Sequence, residues 1–358
     1  MRYCRCLSAS ANCGNLYQPM IGIDMQNIRG FSLVELMVAM VLGLFLMGGV
    51  IAFISSQSRL ENQTSAFSEI QENARLALNL LSEDIAQSGF YGDFTGINVN
   101  SSSPTVERFV GVVTPSPECV QSGGRNGTFP IGDGLKFRTL WAGHSVSGNS
   151  LLTSSCDSPN VGTDVLQIKR LIASEVVAGN EDANRFYGMT NFSRLILYRT
   201  PDTPTTADVP NGMRYEYQHH VYYIDDVTND GITAPYLQRR NLIIVGGTPQ
   251  MDLADGGLVP GIENIHFQFG IDSNGDGHPN GFVDTDDVTA EQWDSADVLG
   301  ERIVAVRVFV LARSLEPDPT YMHEPITYQM GGRSIVIPET DRHRRLLLST
   351  TVTLRNLL

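Results

Sequence analysis

The residues able to do chemistry fall into a few separated groups. Glu35 stands at the edge of an apolar stretch, and from Leu36 to Ile54 no residue is charged. A lone acid costs about 2.5–3.5 kcal/mol near a bilayer centre, so its retention asks for a cationic partner. A second group is Asp272-Ser-Asn-Gly-Asp-Gly-His-Pro-Asn-Gly. Oxygen side chains alternate at Asp272, Asn274 and Asp276, and Gly277 permits a tight turn, which is how a calcium loop opens. His278 offers a backbone carbonyl and Asn280 a ligand, directly or through water. The EF-hand pattern then breaks, because its twelfth place is Val283 and an acid arrives one residue later, at Asp284. The expectation is an EF-like loop that could hold calcium through Asp272, Asn274, Asp276, His278, Asn280 and Asp284. The alternative is a solvated turn built from Asp, Asn and Gly.

Of the five cysteines, Cys4, Cys6 and Cys13 lie in the first thirteen residues and Cys119 and Cys156 in the body. No C-x-x-C pair suggests a zinc or thioredoxin-type site. Removal of the N-terminal stretch leaves two, and an even count in an exported chain suggests one disulfide, Cys119 to Cys156. The seven histidines form no H-E-x-x-H pair. His219 and His220 are adjacent in a strand-like run and point to opposite faces, a poor chelate. No phosphate-binding G-x-x-x-x-G-K and no G-x-S-x-G nucleophile motif occurs, so no enzyme and no required cofactor are expected.

These groups need elements to carry them. The chain has 358 residues, a formal charge of −14 and 42% hydrophobic residues, which is a globular composition with an acidic body. That balance argues against a nucleic-acid-binding face. Positive charge is nearly all arginine, the lysines being Lys136 and Lys169. The run Phe31 to Ile54, as a helix, spans about 36 Å, enough for a hydrocarbon core of about 30 Å. Beyond it, Ser55 to Ser88 reads as an amphipathic helix with Leu60, Phe67, Ile70, Ala74, Ala77, Leu78, Leu81 and Ile85 at helical spacing, stopped by Gly89. From residue 89 onward the chain is β-rich. Candidate strands are 134–141, 164–172, 194–199, 213–224, 241–245, 262–271, 302–311, 334–337 and 346–354, separated by loops rich in Gly, Ser, Pro and Asn.

Gly30-Phe31-Ser32-Leu33-Val34-Glu35, followed by the charge-free run, resembles the class III signal of type IV prepilins and pseudopilins. The resemblance implies that a prepilin peptidase cuts after Gly30 and methylates the new amino terminus, Phe31. Methylation keeps its charge, and that cation can neutralise Glu35 of a neighbouring subunit inside an apolar filament core. Met25-Gln-Asn-Ile-Arg-Gly is itself a plausible leader, so translation is expected to start at Met25. Gln71-Glu-Asn-Ala-Arg-Leu-Ala-Leu-Asn-Leu-Leu, Leu258-Val-Pro-Gly-Ile-Glu-Asn-Ile-His-Phe-Gln-Phe-Gly-Ile-Asp and Arg344-Arg-Leu-Leu-Leu-Ser-Thr-Thr-Val-Thr-Leu-Arg-Asn are similar to PilW-type minor pilins.

The expected architecture is α+β: a long N-terminal helix, half membrane-spanning and half amphipathic, packed on a β-rich head. Its parts are a leader (1–30), a membrane and filament-core helix (31–54), an amphipathic helix (55–88) and a head (89–358). The resemblance implies a minor pilin in a priming or tip complex, supporting motility, adhesion or DNA uptake. It would be anchored in the inner membrane with its head periplasmic before joining a surface pilus. Implied partners are the prepilin peptidase, other minor pilins, the major pilin and the inner-membrane assembly platform. The alternatives are a J-type minor pseudopilin of a type II secretion system and a pilus-tip adhesin.

Overall fold

The computed structural model describes residues 31–95, 99, 105–120, 126–130, 137–148, 151–153, 156–253, 257–294 and 301–356. The leader expectations, with Gly30, Met25 and Cys4, Cys6 and Cys13, lie outside the described residues, as do residues 134–136 of the candidate strand 134–141. Helix α1 (Leu33–Ala86) comes first. Its apolar part, Leu33–Gln57, has the length and composition of a membrane span, and none of that span is buried within the protein. The chain divides into two compact units, residues 1–61 and 62–358.

In the second unit, Asn62–Ala86 of α1 packs on a β-rich body. Ile70, Ala74, Ala77, Leu81 and Ile85 are buried at steps of three and four, the interval that keeps side chains on one helix face. The helix ends three residues before Gly89, whose φ of 74° turns the chain away. The last carbonyls of this end receive the Asn356 amide, which donates from Nδ2 to the oxygens of Ala86 and Ser88.

The strands that follow, among the described residues, are β1 (Val106–Arg108), β2 (Leu140–His144), β3 (Asp164–Glu175), β4 (Phe186–Thr190), β5 (Leu195–Tyr198), β6 (Met213–Asn229), β7 (Ile232–Val245), β8 (Thr248–Leu253), β9 (Val259–Pro260), β10 (Ile262–Asp272) and β11 (Gly281–Asp284). A 3-10 turn (Thr285–Asp287) and the short α2 (Ala290–Asp294) lead to β12 (Arg302–Arg313), β13 (Ile326–Met330), β14 (Arg333–Ile337) and β15 (Arg345–Thr353). The larger sheet runs β1-β5-β4-β6-β3-β2, with β7 pairing β6, β8 and β9. A second sheet runs β11-β10-β12-β15, and β13 and β14 form a separate hairpin. Apart from the parallel β1–β5 pair, all pairings are antiparallel. The long β6–β7 ribbon is closed by Asp230-Gly231, both at positive φ (51° and 83°), the backbone a two-residue hairpin turn demands.

Strand alternation sends β3 and β6 into two cores. Leu166, Ile168, Tyr222 and Ile224 join the α1 face and β10 and β12 in one cluster. Val165, Leu171, Tyr217, Val221 and Tyr223 join a second cluster on the other side, with Phe129, Phe137, Trp141 and both cysteines. The described chain therefore has the expected α+β character, an apolar N-terminal helix followed by a β-rich body.

The apolar face of α1 is pinned by one buried acid. Asp84 accepts a hydrogen bond from Nε of Arg170 on β3 (2.6 Å) and from the Tyr222 hydroxyl on β6 (2.8 Å), and meets Nδ1 of His220 (2.6 Å). Burial alone would raise its carboxyl. The His220 charge and hydrogen bond, followed by those of Arg170, outweigh that and hold it well below the ordinary carboxylate range. Removing one partner from a buried ion pair strands the other, at a cost of about 3–5 kcal/mol. Asp84→Ala is therefore expected to lose about that much stability in urea unfolding monitored by the head's tyrosines. The exposed neighbour substitution Glu83→Ala should stay within about 0.5 kcal/mol of the parent.

Candidate functional site

The N-terminal motif takes a definite local form. Ser32 stands just before α1, and Leu36 N donates to its carbonyl (3.1 Å), the first helical hydrogen bond. The Ser32 hydroxyl oxygen accepts from Val34 N (3.3 Å), and the Glu35 carboxylate reaches back to accept from Ser32 N at Oε2 (3.0 Å). Ser32-Leu-Val-Glu35 is thus a capping arrangement of the S-x-x-E kind, in which side chains satisfy backbone donors that a helix start leaves open. The sequence reading assigned Glu35 to a neighbouring subunit and missed this intrachain role, although Ser three residues ahead of Glu is the signal for it. Phe31 is 87% exposed, and the apolar residues after it (Leu33, Val34, Leu36, Met37 and onward) are all exposed too. Nothing within the unit covers this surface, so lipid or other subunits must.

In the body, Cys119 and Cys156 are joined by a disulfide and both are buried. Val120 forms a bridge with Leu152, and Thr153 N donates to the Cys119 carbonyl (2.9 Å), so the two loop segments are held by backbone as well as sulfur. Such a bridge lowers the entropy of the unfolded chain and typically stabilises by about 2–4 kcal/mol.

The acidic turn after β10 is closed by its own hydrogen bonds. Asp272 accepts from Asn274 N (3.1 Å) and Gly275 N (2.7 Å) at Oδ1, and from Gly277 N (2.8 Å) at Oδ2. Burial would raise its carboxyl, and these N–H groups bring it below the ordinary value instead. Asn280 accepts from Ser273 N and Oγ, Asn274 donates to Asp276, and the backbone N of His278 donates to Asp276. The sixth member of the expected calcium set is elsewhere. Asp284 pairs across the hairpin with Gln268, four residues before Asp272, which at about 3.3 Å per residue puts it about 13 Å along the strand. It accepts there from Gln268 Nε2 (2.8 Å) and Gly332 N (3.2 Å) and faces His266 Nε2 (3.1 Å). The structure therefore brings Asp272, Asn274, Asp276, His278 and Asn280 into one turn and leaves Asp284 out of it. Among the described residues, no group of three or more His, Cys, Asp or Glu is placed to hold a metal ion.

Asp284 belongs instead to a buried relay. Asp164, fully buried at the start of β3, meets Nδ1 of His144 on β2 (2.7 Å) and Nδ1 of His266 on β10 (2.8 Å). It also accepts from Phe267 N (3.0 Å) and the Thr285 hydroxyl (2.6 Å), and Arg333 of β14 lies 4.0 Å away. His266 bridges Asp164 and Asp284 with its two nitrogens. The relay ties both sheets and the β13–β14 hairpin together, and its residues sit too far apart in sequence for any spacing to show them.

Residues 221–356 match the sequence model of a family described as Type IV Pilus-assembly protein W. Residues 25–51 match the prokaryotic N-terminal methylation motif. No curated protein and no solved structure matches the chain. The first match covers β10 to β15 and so the relay's His266, Asp284 and Arg333; the second covers Ser32 to Glu35.

The relay generates a pH prediction. Burial would raise the Asp164 carboxyl, but the hydrogen bonds of His144 and His266, the His266 charge and the Thr285 hydroxyl hold it at about 2 against an ordinary 3.8. A depressed carboxyl contributes stability that is present above its unfolded value and lost as pH falls through its folded one. Burial would lower His266, but Asp164 and Asp284 raise it, so its contribution is present at low pH and lost as pH rises past about 6.5 through its raised value. Wild type is expected to be more stable than Asp164→Asn near pH 5, with the gap shrinking by about 2 kcal/mol as pH falls from about 4 to about 2. Equilibrium unfolding of both proteins across that range checks it; a gap that does not vary with pH would show that Asp164 is not the titrating group.

Proposed function

We infer that the chain is a PilW-type minor pilin of type IV pilus assembly, anchored in the inner membrane by its N-terminal helix and then assembled into a pilus. The observation that carries this is the pairing of a methylation motif at the start of a 25-residue uncovered apolar span with a pilus-assembly match across the C-terminal sheet. Three finer statements are proposals. A prepilin peptidase removes the leader at Gly30 and methylates Phe31. The Glu35 carboxylate then takes the Phe31 ammonium of an adjacent subunit as its partner in the filament core, where an unpaired acid would be costly. The head joins other minor pilins in a priming or tip complex on the inner-membrane assembly platform, to which the major pilin is added. In this role the protein is structural and carries out no catalysis.

The J-type pseudopilin reading is less favoured, because the matched C-terminal region is that of a pilus-assembly family. An adhesin role of the head is compatible with minor-pilin assembly. A deletion strain separates these: loss of pili supports priming, whereas normal piliation with lost adherence supports the adhesin. For the 272–280 turn, calcium is a separate proposal, drawing on Asp272, Asn274, Asp276, the His278 carbonyl and Asn280 without Asp284. Titration calorimetry tests it. Binding that Asp272→Asn removes is the supporting result, and no heat with millimolar calcium the opposing one.

The capping geometry sharpens the test of Glu35. Glutamine at the same place can still accept from Ser32 N, so Glu35→Gln keeps the cap and loses the charge. It should leave membrane insertion intact and reduce incorporation into pili at least tenfold, measured by immunoblot of sheared pili. N-terminal sequencing of the membrane form should begin at N-methylated Phe31. Glu35→Gln pili equal in amount to wild type would mean that capping, not charge, is what assembly needs.

A further inference from the structure

One of the two lysines of the chain, Lys169, is fully buried on β3, with its side chain on the face opposite α1. Its Nζ is 2.7 Å from Oδ1 of Asn126 and 2.6 Å from the Gly127 carbonyl oxygen, and it lies over the Phe137 ring at 4.5 Å. A C=O bond is about 1.23 Å long, so Nζ is at most about 3.9 Å from the Asn126 carbonyl carbon, close to the 3–3.5 Å of a near-attack arrangement. The same Oδ1 accepts a backbone hydrogen bond from Arg138 N at 2.7 Å, a donor placed where negative charge would develop if that carbonyl were attacked. The amide nitrogen, Nδ2, donates to the Arg138 carbonyl oxygen and to Gln167 Oε1, which fixes the plane of the amide. Burial pushes the lysine far below its usual range; the Glu118 charge opposes this and the Arg138 charge adds to it. An uncharged amine is a nucleophile, whereas an ammonium is not.

We propose that Lys169 and Asn126 become covalently joined, Nζ of Lys169 replacing Nδ2 on the side-chain carbonyl carbon of Asn126. Rotation about the Cε–Nζ bond exchanges an N–H for the lone pair, which attacks that carbon. Oδ1 gains the charge and is met by Arg138 N. A proton passes from Nζ to Nδ2, the C–Nδ2 bond breaks and ammonia leaves, so the product is one secondary amide and no oxidant or cofactor is consumed. Glu118 is the carboxylate whose charge reaches Lys169, and Thr128 N and Oγ1 hold it in place. As the carboxylate acting on Lys169, it would carry the proton between the two nitrogens. The new bond would tie the 126–130 segment to β3 in the same core as the Cys119–Cys156 bridge. It requires nothing of the pilin reading.

Mass spectrometry of the full chain, purified in detergent, then reduced, denatured and digested, decides. The expected result is a branched peptide containing both positions, lighter than its two parts by one ammonia, with Lys169 inert to acetylation after denaturation. Glu118→Gln should sharply reduce it, and Lys169→Met and Asn126→Ala should abolish it. Linear peptides of unmodified mass and a Lys169 that acetylates fully would overturn the proposal, whatever the variants do. So would an ammonia loss confined to the Asn126-Gly127 peptide, since that marks a succinimide at Asn126 and not a link to Lys169.

Discussion

The head is organised around a single carboxylate on a helix. The contacts that Ile70, Ala74, Ala77, Leu81 and Ile85 make are apolar and non-directional, so they fix the helix register less strictly than a hydrogen bond does. Asp84 cannot slide. Its hydrogen bonds to Arg170 and Tyr222 and its contact with His220 reach two neighbouring strands, and a shifted helix would leave a buried acid and a buried guanidinium unpaired. That penalty falls on wrong registers and spares the right one, which is the sense in which a buried ion pair specifies more than it stabilises. The Asn356 amide at the helix's last carbonyls adds a second constraint from the other end of the chain.

Beneath the helix, β3 and β6 serve two interiors at once. Even-numbered residues of β3 (Asp164, Leu166, Ile168, Arg170) face α1 and the smaller sheet, and odd-numbered ones (Val165, Gln167, Lys169, Leu171) face the disulfide side. His220 and His219 divide in the same way: the first reaches Asp84, and the second meets Gln167 at 2.6 Å. Burial pushes His219 well below its ordinary value, so the ring is neutral. One face thus buries acids with cationic partners and the other buries amines and amides kept uncharged. Adjacent residues, Lys169 and Arg170, live in opposite electrostatic regimes because a strand's period is two.

What could be read from the chain follows from how local each signal is. The apolar span, the motif around Phe31 and Glu35 and the buried helix face are patterns within a few residues, and β3, β5, β10 and β12 are apolar runs bounded by turns. Strands β4, β8, β11 and β13 escaped notice because Phe186-Tyr-Gly-Met-Thr contains a glycine, while the others are short or half-exposed and borrow their order from neighbours. The Asp230-Gly231 turn did carry a hairpin signal, and it extends two expected strands into one long ribbon. The Asp84 and Asp164 networks were invisible for a different reason. Their hydrogen-bonding partners lie between 20 and 138 positions away, so only the folded register brings them together. The same register explains Asp284: linear spacing put it at the end of a loop, and pairing with Gln268 carried it up the strand to His266.

At the N-terminus the two roles of Glu35 are compatible, and the geometry says why. The cap uses one oxygen, Oε2, on Ser32 N. An ionised carboxylate has two oxygens and about four lone-pair sites, so it can hold that backbone donor and still accept from a cation. With the proposed cleavage after Gly30 the first residue would be Phe31, directly attached to Ser32, so an amino terminus arriving from another subunit would meet a carboxylate whose rotamer its own helix has already set. Capping alone is worth about 1 kcal/mol, while an acid left unpaired in an apolar core costs several times that. The cap therefore orients the carboxylate, and the proposed pairing would supply the reason for an acid rather than an amide at this position. A glutamate three residues after a serine, at the mouth of an uncharged span, could satisfy both demands with one side chain.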